Sequence, residues 1–362
     1  QVQTSIGDVR IEFYATVRIA EPFLPVGTVI AREQNYIYTF HKDKVAQQEV
    51  APMKETDTQV IYSGKNFKAV FDKKSGLLVS YQYNGAEYIL NGQGLHPNFW
   101  RAPIDNDYGA GLARKLGVWK EASYQDIMAA SFNARNGEVT CTYQFPQTDA
   151  TWDITYKIYT NGVIKVDNRF VAANEKTPMI PRIGLRMQMP ETFTTLTYYG
   201  RGPEENYRDR RTSQFFGEYS TPIKKMYEPY IRPQENNHRT DIYWCALTNK
   251  SGAGLLLVAD RTFEMNASNY PLETLDSGDD LHNAAPRTAQ TNHRHLTDPK
   301  PEKMVDLFID YRMMGVGGDN SWGALAHEPY LIRTGAQNAV EYGFTLVPFG
   351  RKTDFRNLIY QY

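Results

Sequence analysis

Apolar and polar residues alternate along much of this chain with a period of two. Val9-Arg10-Ile11-Glu12-Phe13 does so, and Trp152-Asp153-Ile154-Thr155-Tyr156-Lys157-Ile158 does so again. Side chains alternate faces only along an extended strand, so this pattern gives a sheet one apolar and one polar face. Phe67–Phe71, Val163–Val171, Gly254–Asp260, Val305–Tyr311 and Val340–Val347 are expected to be strands on the same ground. Turn signals separate them: Lys74-Ser75-Gly76, Asn84-Gly85, Asn91-Gly92, Asn161-Gly162 and Lys250-Ser251-Gly252. Helical signal is weak, confined to Leu112–Glu121 and to Pro271–Leu275, where Pro would open a short helix. The expected fold class is therefore all-β, a sandwich or barrel.

With 362 residues, 41% hydrophobic and 22% charged, the chain has room for a sizeable core. A formal net charge of −1 gives no electrostatic case for nucleic acid or an anionic membrane, and no apolar run approaches a membrane span. Residues 1–42 predict two or three strands ending at Tyr36–Phe40, residues 43–58 a polar linker, and residues 59–362 one large domain. Forty residues rarely close a core alone. Cys141 and Cys245 sit in strand-like contexts, read as buried free thiols with a single long-range disulfide as the alternative. The chain opens Gln1-Val2-Gln3, without Met or an apolar signal region, and is expected to be cut from something longer.

Four segments place polar and aromatic residues together: His96–Asp107, Tyr199–Arg210, Pro229–Asp241 and Met314–Trp322. Guanidinium, carboxylate and carboxamide groups suit vicinal sugar hydroxyls, and rings supply a stacking face. The plainer reading is that Arg–Asp and Arg–Glu pairs knit long loops together. Three arginines near Glu204, Glu205 and Asp209 suggest such a framework. Asp105-Asn106-Asp107 lacks the ligand spacing of a calcium loop. Tyr108–Trp119, with three glycines, is expected to be a mobile loop. In Met314–Trp322 the glycines strip side chains from a loop that presents Trp322, as a core residue, a ligand platform or a domain interface. His293-Arg294-His295 is read as a hydrogen-bonded structural pair in a strand rather than a metal pair.

Together "NFWRAPIDNDYG", "GRGPEENYRDR", "YIRPQENNHRTDIYW" and "MGVGGDNSW" resemble the C-terminal, small-chain domain of glycoside hydrolase family 2 β-galactosidases, in the family's order and over roughly residues 60–350. The resemblance implies a large β-supersandwich of the galactose mutarotase-like class, preceded by a remnant of an Ig-like β-sandwich in residues 1–42. It implies that Trp322 reaches into a galactose pocket, with Asp319, Asn320, Arg101, Asp105 and Asn106 as further substrate-binding residues around it. The family's two catalytic Glu lie on an upstream TIM barrel, and no barrel pattern exists here, so no catalytic residue is expected in this chain. The implied partners are a galactoside and the upstream barrel and sandwich domains of a parent enzyme, itself a homo-oligomer. The chain itself would carry no cofactor, and magnesium and sodium would be held mainly by other domains. A free-standing carbohydrate-binding module is one alternative. An epimerase of the mutarotase kind, using Glu235, His238, His293 or His295, is another. Compartment stays open between bacterial cytoplasm and periplasm, since a targeting signal would lie upstream.

Overall fold

The computed structural model describes residues 8–39, 48–276, 293–320 and 323–362. The chain divides into two units, Gln1–Gln47 with Arg356–Tyr362, and Gln48–Phe355. In the first unit β1 (Asp8–Thr16) pairs antiparallel with β2 (Val29–Thr39). Ile11, Phe13, Tyr36, Ile37 and Tyr38 are all exposed. Adjacent residues of β2 point to opposite faces, so both faces of this ribbon present apolar side chains.

The second unit begins at Gln48, inside the stretch expected as a linker, and residues there already form a strand, β3 (Met53–Glu55). It pairs with β4 (Gln59–Ser63), which leads through β5 (Phe67–Asp72) and β6 (Leu78–Tyr83) to β7 (Ala86–Glu87) in a five-stranded antiparallel sheet. The Asn84-Gly85 turn joins β6 to β7, with φ of 50° and 79°, the left-handed region in which Asn and Gly are tolerated.

A twelve-stranded sheet takes the rest: β8 (His96–Asn98), β9 (Ser131–Arg135), β10 (Glu138–Phe145), β11 (Ala150–Ile158), β12 (Ile164–Ala172), β13 (Arg182–Pro190), β14 (Phe193–Gly202), β15 (Phe215–Pro222), β16 (Arg239–Asn249), β17 (Gly254–Ser268), β18 (Met304–Met313) and β19 (Val340–Phe349). Every pairing is antiparallel, and the strands expected from alternation at Trp152–Ile158, Val163–Val171, Gly254–Asp260, Val305–Tyr311 and Val340–Val347 are present. β17 runs beyond Asp260, where the alternation had faltered. Its first half pairs with β19 and its second half with β18, so one strand carries the sheet around a corner at Asp260-Arg261-Thr262.

The inward faces of both sheets share one core. Phe71 of the smaller sheet meets Tyr156 of the larger with ring centroids 5.0 Å apart, and the Tyr62 hydroxyl donates to the carbonyl of Glu138. Phe99 sits among Trp119, Phe145, Trp152 and Phe170 at 4.9–5.6 Å. Burying such a ring contributes about 1.5–3 kcal/mol.

Tyr108–Trp119 corrects the expected loop. Residues 105–124 hold three short helices, α1 (Asp105–Gly109), α2 (Leu112–Lys115) and α3 (Gly117–Tyr124). Leu112 in α2, Leu116 at the junction and Trp119 in α3 are all buried, and α2 and most of α3 fall in the stretch Leu112–Glu121 where a weak helical signal was expected. Among the described residues no helix is long and apolar enough to cross a membrane.

Cys141 and Cys245 are free and buried, without a disulfide between them. Burial pushes the Cys141 thiol up to about 12 and raises that of Cys245 as well. Since thiolate is the reactive form, native protein at pH 8 should react with an aromatic disulfide reagent far more slowly than denatured protein. Prompt release of two equivalents before unfolding would contradict this.

Candidate functional site

α1 begins directly after Ala102-Pro103-Ile104, and Asp107 caps it by accepting from the Ile104 amide at 3.2 Å. The same carboxylate takes a two-pronged bond from Arg101, Nε at 3.1 Å and Nη2 at 2.8 Å. Arg101 is 2% exposed. Its remaining donors reach the carbonyls of Met314, at 2.6 Å, and Gly315, at 3.1 Å. Arg101 is thus bonded inside the protein, to one carboxylate and two backbone carbonyls. Only a planar fork could satisfy a carboxylate and two carbonyls at once.

Two further side chains hold the loop that Arg101 reaches. The Asn106 amide donates to the Val316 carbonyl at 3.0 Å. Asp209 accepts from the amides of Val316 at 3.1 Å and Gly317 at 2.7 Å. Gly315 permits this approach, because a Cβ there would lie 2.7 Å from an Asp209 oxygen and 2.8 Å from Ala326 Cβ. A Cβ at Gly318 would meet the Ala324 carbonyl at 2.2 Å. The glycines of this segment therefore allow the loop to be gripped closely as well as stripping it of side chains.

Beside α1 lies a cavity of about 180 Å³, lined by Asp105, Asn106, Tyr207, Arg210, Tyr230 and Glu235 among others. Asp105 is exposed at its rim and Asn106 is half-buried. Glu205 organises the far side: it accepts from Arg210 at 2.7 Å, from the Asn237 amide at 2.7 Å and from the Tyr230 hydroxyl. Tyr207 stacks on His238, centroids 5.6 Å apart. Burial, then the nearby Glu205, keeps its phenol well above the usual range, so it stays a neutral hydrogen-bonding group.

Behind the cavity, Arg182 donates from Nε to Asp310 at 3.0 Å, its Nη2 lies 2.9 Å from the same carboxylate as an ion pair, and it faces Glu235 at 3.6 Å. Burial raises the Asp310 carboxyl to about 7 despite Arg182 pulling it down. His238 contacts Glu264 at 3.0 Å, and Glu264 also accepts from the Met313 amide at 2.8 Å. Glu235 and His238, candidates for acid–base work, thus belong to a buried ionic network. His293 bonds the Thr274 carbonyl at 2.9 Å, and the amides of Arg294 and His295 both donate to Asp298. The two histidines lie in a turn, not a strand, because Asp298 folds the backbone onto itself.

No group of three or more His, Cys, Asp or Glu that could hold a metal occurs among the described residues. Asp107 is taken up by Arg101 and the helix cap, so Asp105-Asn106-Asp107 does not fit a cation. Asp319 and Asn320 are exposed; Asp319 contacts the exposed His327 at 2.9 Å. Ser321 and Trp322 lie outside the described residues. Sequence reasoning gathered Arg101, Asp105 and Asn106 correctly as neighbours but left out Asp209, Tyr207, Arg210 and Tyr230. Their segments were singled out, but one-dimensional order gives no hint that Asp209 bonds a loop more than a hundred residues away.

A family model described as beta galactosidase small chain matches residues 63–346. The chain belongs to the β-galactosidase small-chain family. A β-galactosidase of Priestia megaterium is 33% identical over 297 residues, 81% of this chain and 27% of that protein. One of Streptococcus thermophilus is 30% identical over 342 residues, 91% of this chain and 31% of that protein. The small-chain segment thus spans under a third of the length of these relatives. A galactose 1-epimerase of Lactobacillus acidophilus aligns over 84% of this chain and 98% of its own, at 6% identity and a TM-score of 0.42. An alpha-N-acetylgalactosaminidase of Bifidobacterium bifidum aligns over 80% of this chain and 36% of its own, at 10% identity and a TM-score of 0.39. Likeness at this level carries no activity to the present small chain.

Proposed function

We propose that this chain serves as the accessory domain of a β-galactosidase. It completes the galactose pocket from one side and leaves bond cleavage to carboxylates on another domain. The observation that carries this reading is the grip of Arg101, Asn106 and Asp209 on the Met314–Gly317 backbone. That grip fixes the stem of the loop that continues to Trp322, and a stacking platform needs a fixed stem. Trp322 would stack on the sugar, while Asp105, Asn106, Asp319 and Asn320 would shape the rim. Arg101 acts as a positioning residue.

Hydrolysis with retention needs two carboxyls about 5 Å apart flanking the scissile bond. The glutamates at the cavity are engaged elsewhere, Glu205 by Arg210 and Tyr230, and Glu235 by Arg182 and Asn266. The hairpin of β1 and β2, apolar on both faces, suits the edge of an Ig-like sandwich whose other strands belong to the parent. The purified 362-residue chain should release no nitrophenol from a nitrophenyl β-galactoside. Turnover within tenfold of a full-length relative would overturn the assignment of catalysis to another domain.

A further inference from the structure

A cavity of about 750 Å³ lies away from the glycine loop, on the polar face of the twelve-stranded sheet. β11, β12, β17, β18 and β19 form its walls. Asp153, Arg169 and Glu341 are register partners across three strands, and Arg169 stands 3.9 Å from Asp153 and 3.7 Å from Glu341. Lys165 bridges Asp167 at 2.8 Å and Asp260 at 2.7 Å. Gly343 makes room for that bridge, since a Cβ there would lie 2.4 Å from both the Asp260 carboxylate and the Lys165 ammonium. The lining also carries guanidiniums beyond these pairs: Arg312 lies 5.1 Å over the Tyr311 ring, and Arg208 is 3.5 Å from Glu264. No ion pair of Arg312 occurs among the described residues.

The lining selects the chemistry of an occupant. Its volume falls within the roughly 300–1,000 Å³ of small-molecule sites. An apolar ligand would strand charges. A polyanion would meet Asp153, Asp167, Asp260 and Glu341, and a polycation would meet the arginines. A neutral polyol meets neither objection, because each hydroxyl both donates and accepts. Carboxylates of the lining would take its protons, and guanidiniums interleaved with them would supply theirs. Tyr311 offers a ring face for the apolar side of a pyranose.

We propose that this cleft is a second, non-catalytic saccharide-binding site, distinct from the wall formed around Trp322. Charge-assisted bonds to its lining hold a neutral pyranose there, and this does not depend on the accessory role proposed above.

The test is saturation-transfer NMR on the purified 362-residue chain with lactose, methyl β-D-galactoside and glucose at millimolar concentration. Three proteins are compared: the natural chain, Trp322→Ala, and Thr155→Trp made in the Trp322→Ala background, so that the loop residue cannot supply the signal. Thr155 is half-buried on β11 at the cleft wall. An indole there fills the space without removing any charged partner. The natural chain and Trp322→Ala should both show transfer to at least one sugar. Thr155→Trp, with an unchanged circular dichroism spectrum, should lose it by about tenfold or more. Signal retained in Thr155→Trp overturns the proposal, and so does absence of transfer in the natural chain. Signal lost in Trp322→Ala itself overturns it too, while supporting the pocket-wall reading. If Thr155→Trp alters the spectrum, Arg312→Gln takes its place and is judged by the same loss.

Discussion

Arg101→Ala should lower the unfolding free energy of the isolated chain by about 3–5 kcal/mol, the range for breaking a buried ion pair from one side. The guanidinium is closed off from water, and its loss leaves the Asp107 carboxylate and the carbonyls of Met314 and Gly315 without their main partner. Lysine would not restore the bonds, because a single ammonium cannot match a fork that spans a carboxylate and two carbonyls. Urea denaturation of the natural chain and both variants measures this. A loss below about 1 kcal/mol would mean that the loop and α1 are held by something else.

This expectation separates two meanings of a polar motif. The segment His96–Asp107 drew attention as a possible sugar-contacting stretch, yet Phe99 and Trp100 are core residues, and the Trp100 indole donates to buried Asp276 at 2.8 Å. Arg101 holds the backbone, and Ile104, Asp105 and Asn106 reach the cavity. Type and order of residues could place these groups near one another. They could not say which face of the turn each would occupy, because this follows from the capped start of α1.

The fold was legible where the period of two was clean. Trp152–Ile158 alternates without a break and forms a strand whose apolar residues are buried. Legibility failed where tertiary contacts set the outcome. Leu112–Glu121 carried a weak helical signal, but breaks at Gly111 and Gly117 leave short helices, and the burial of Leu112, Leu116 and Trp119 is set by what they pack against. Met53–Glu55 is too short to show a period and becomes a strand because β4 offers an open edge. Asp306 and Asp310 share a face of an otherwise apolar strand, and Arg182 and Arg186 repeat the spacing on its neighbour. That pairing, Arg182 with Asp310 and Arg186 with Asp306, was available from the sequence as a ladder of buried ion pairs.

The site has the same division. The glycines of Met314–Trp322 pointed to a displayed ring, and the structure adds that Arg101, Asn106 and Asp209 anchor the loop at its base. A fixed base is what a stacking platform needs. If the ring stacks on the sugar, its loss removes apolar contact and leaves the anchoring bonds intact, so stability and binding should respond differently.

Steady-state kinetics of Trp322→Ala in the full-length β-galactosidase carrying this chain therefore tests the central claim most directly. Loss of a stacking platform in a desolvated pocket corresponds to roughly 1.4 kcal/mol or more, a tenfold change. KM for a nitrophenyl β-galactoside should rise at least about tenfold, with the melting temperature unchanged. Unchanged KM and kcat in a folded variant would contradict the account.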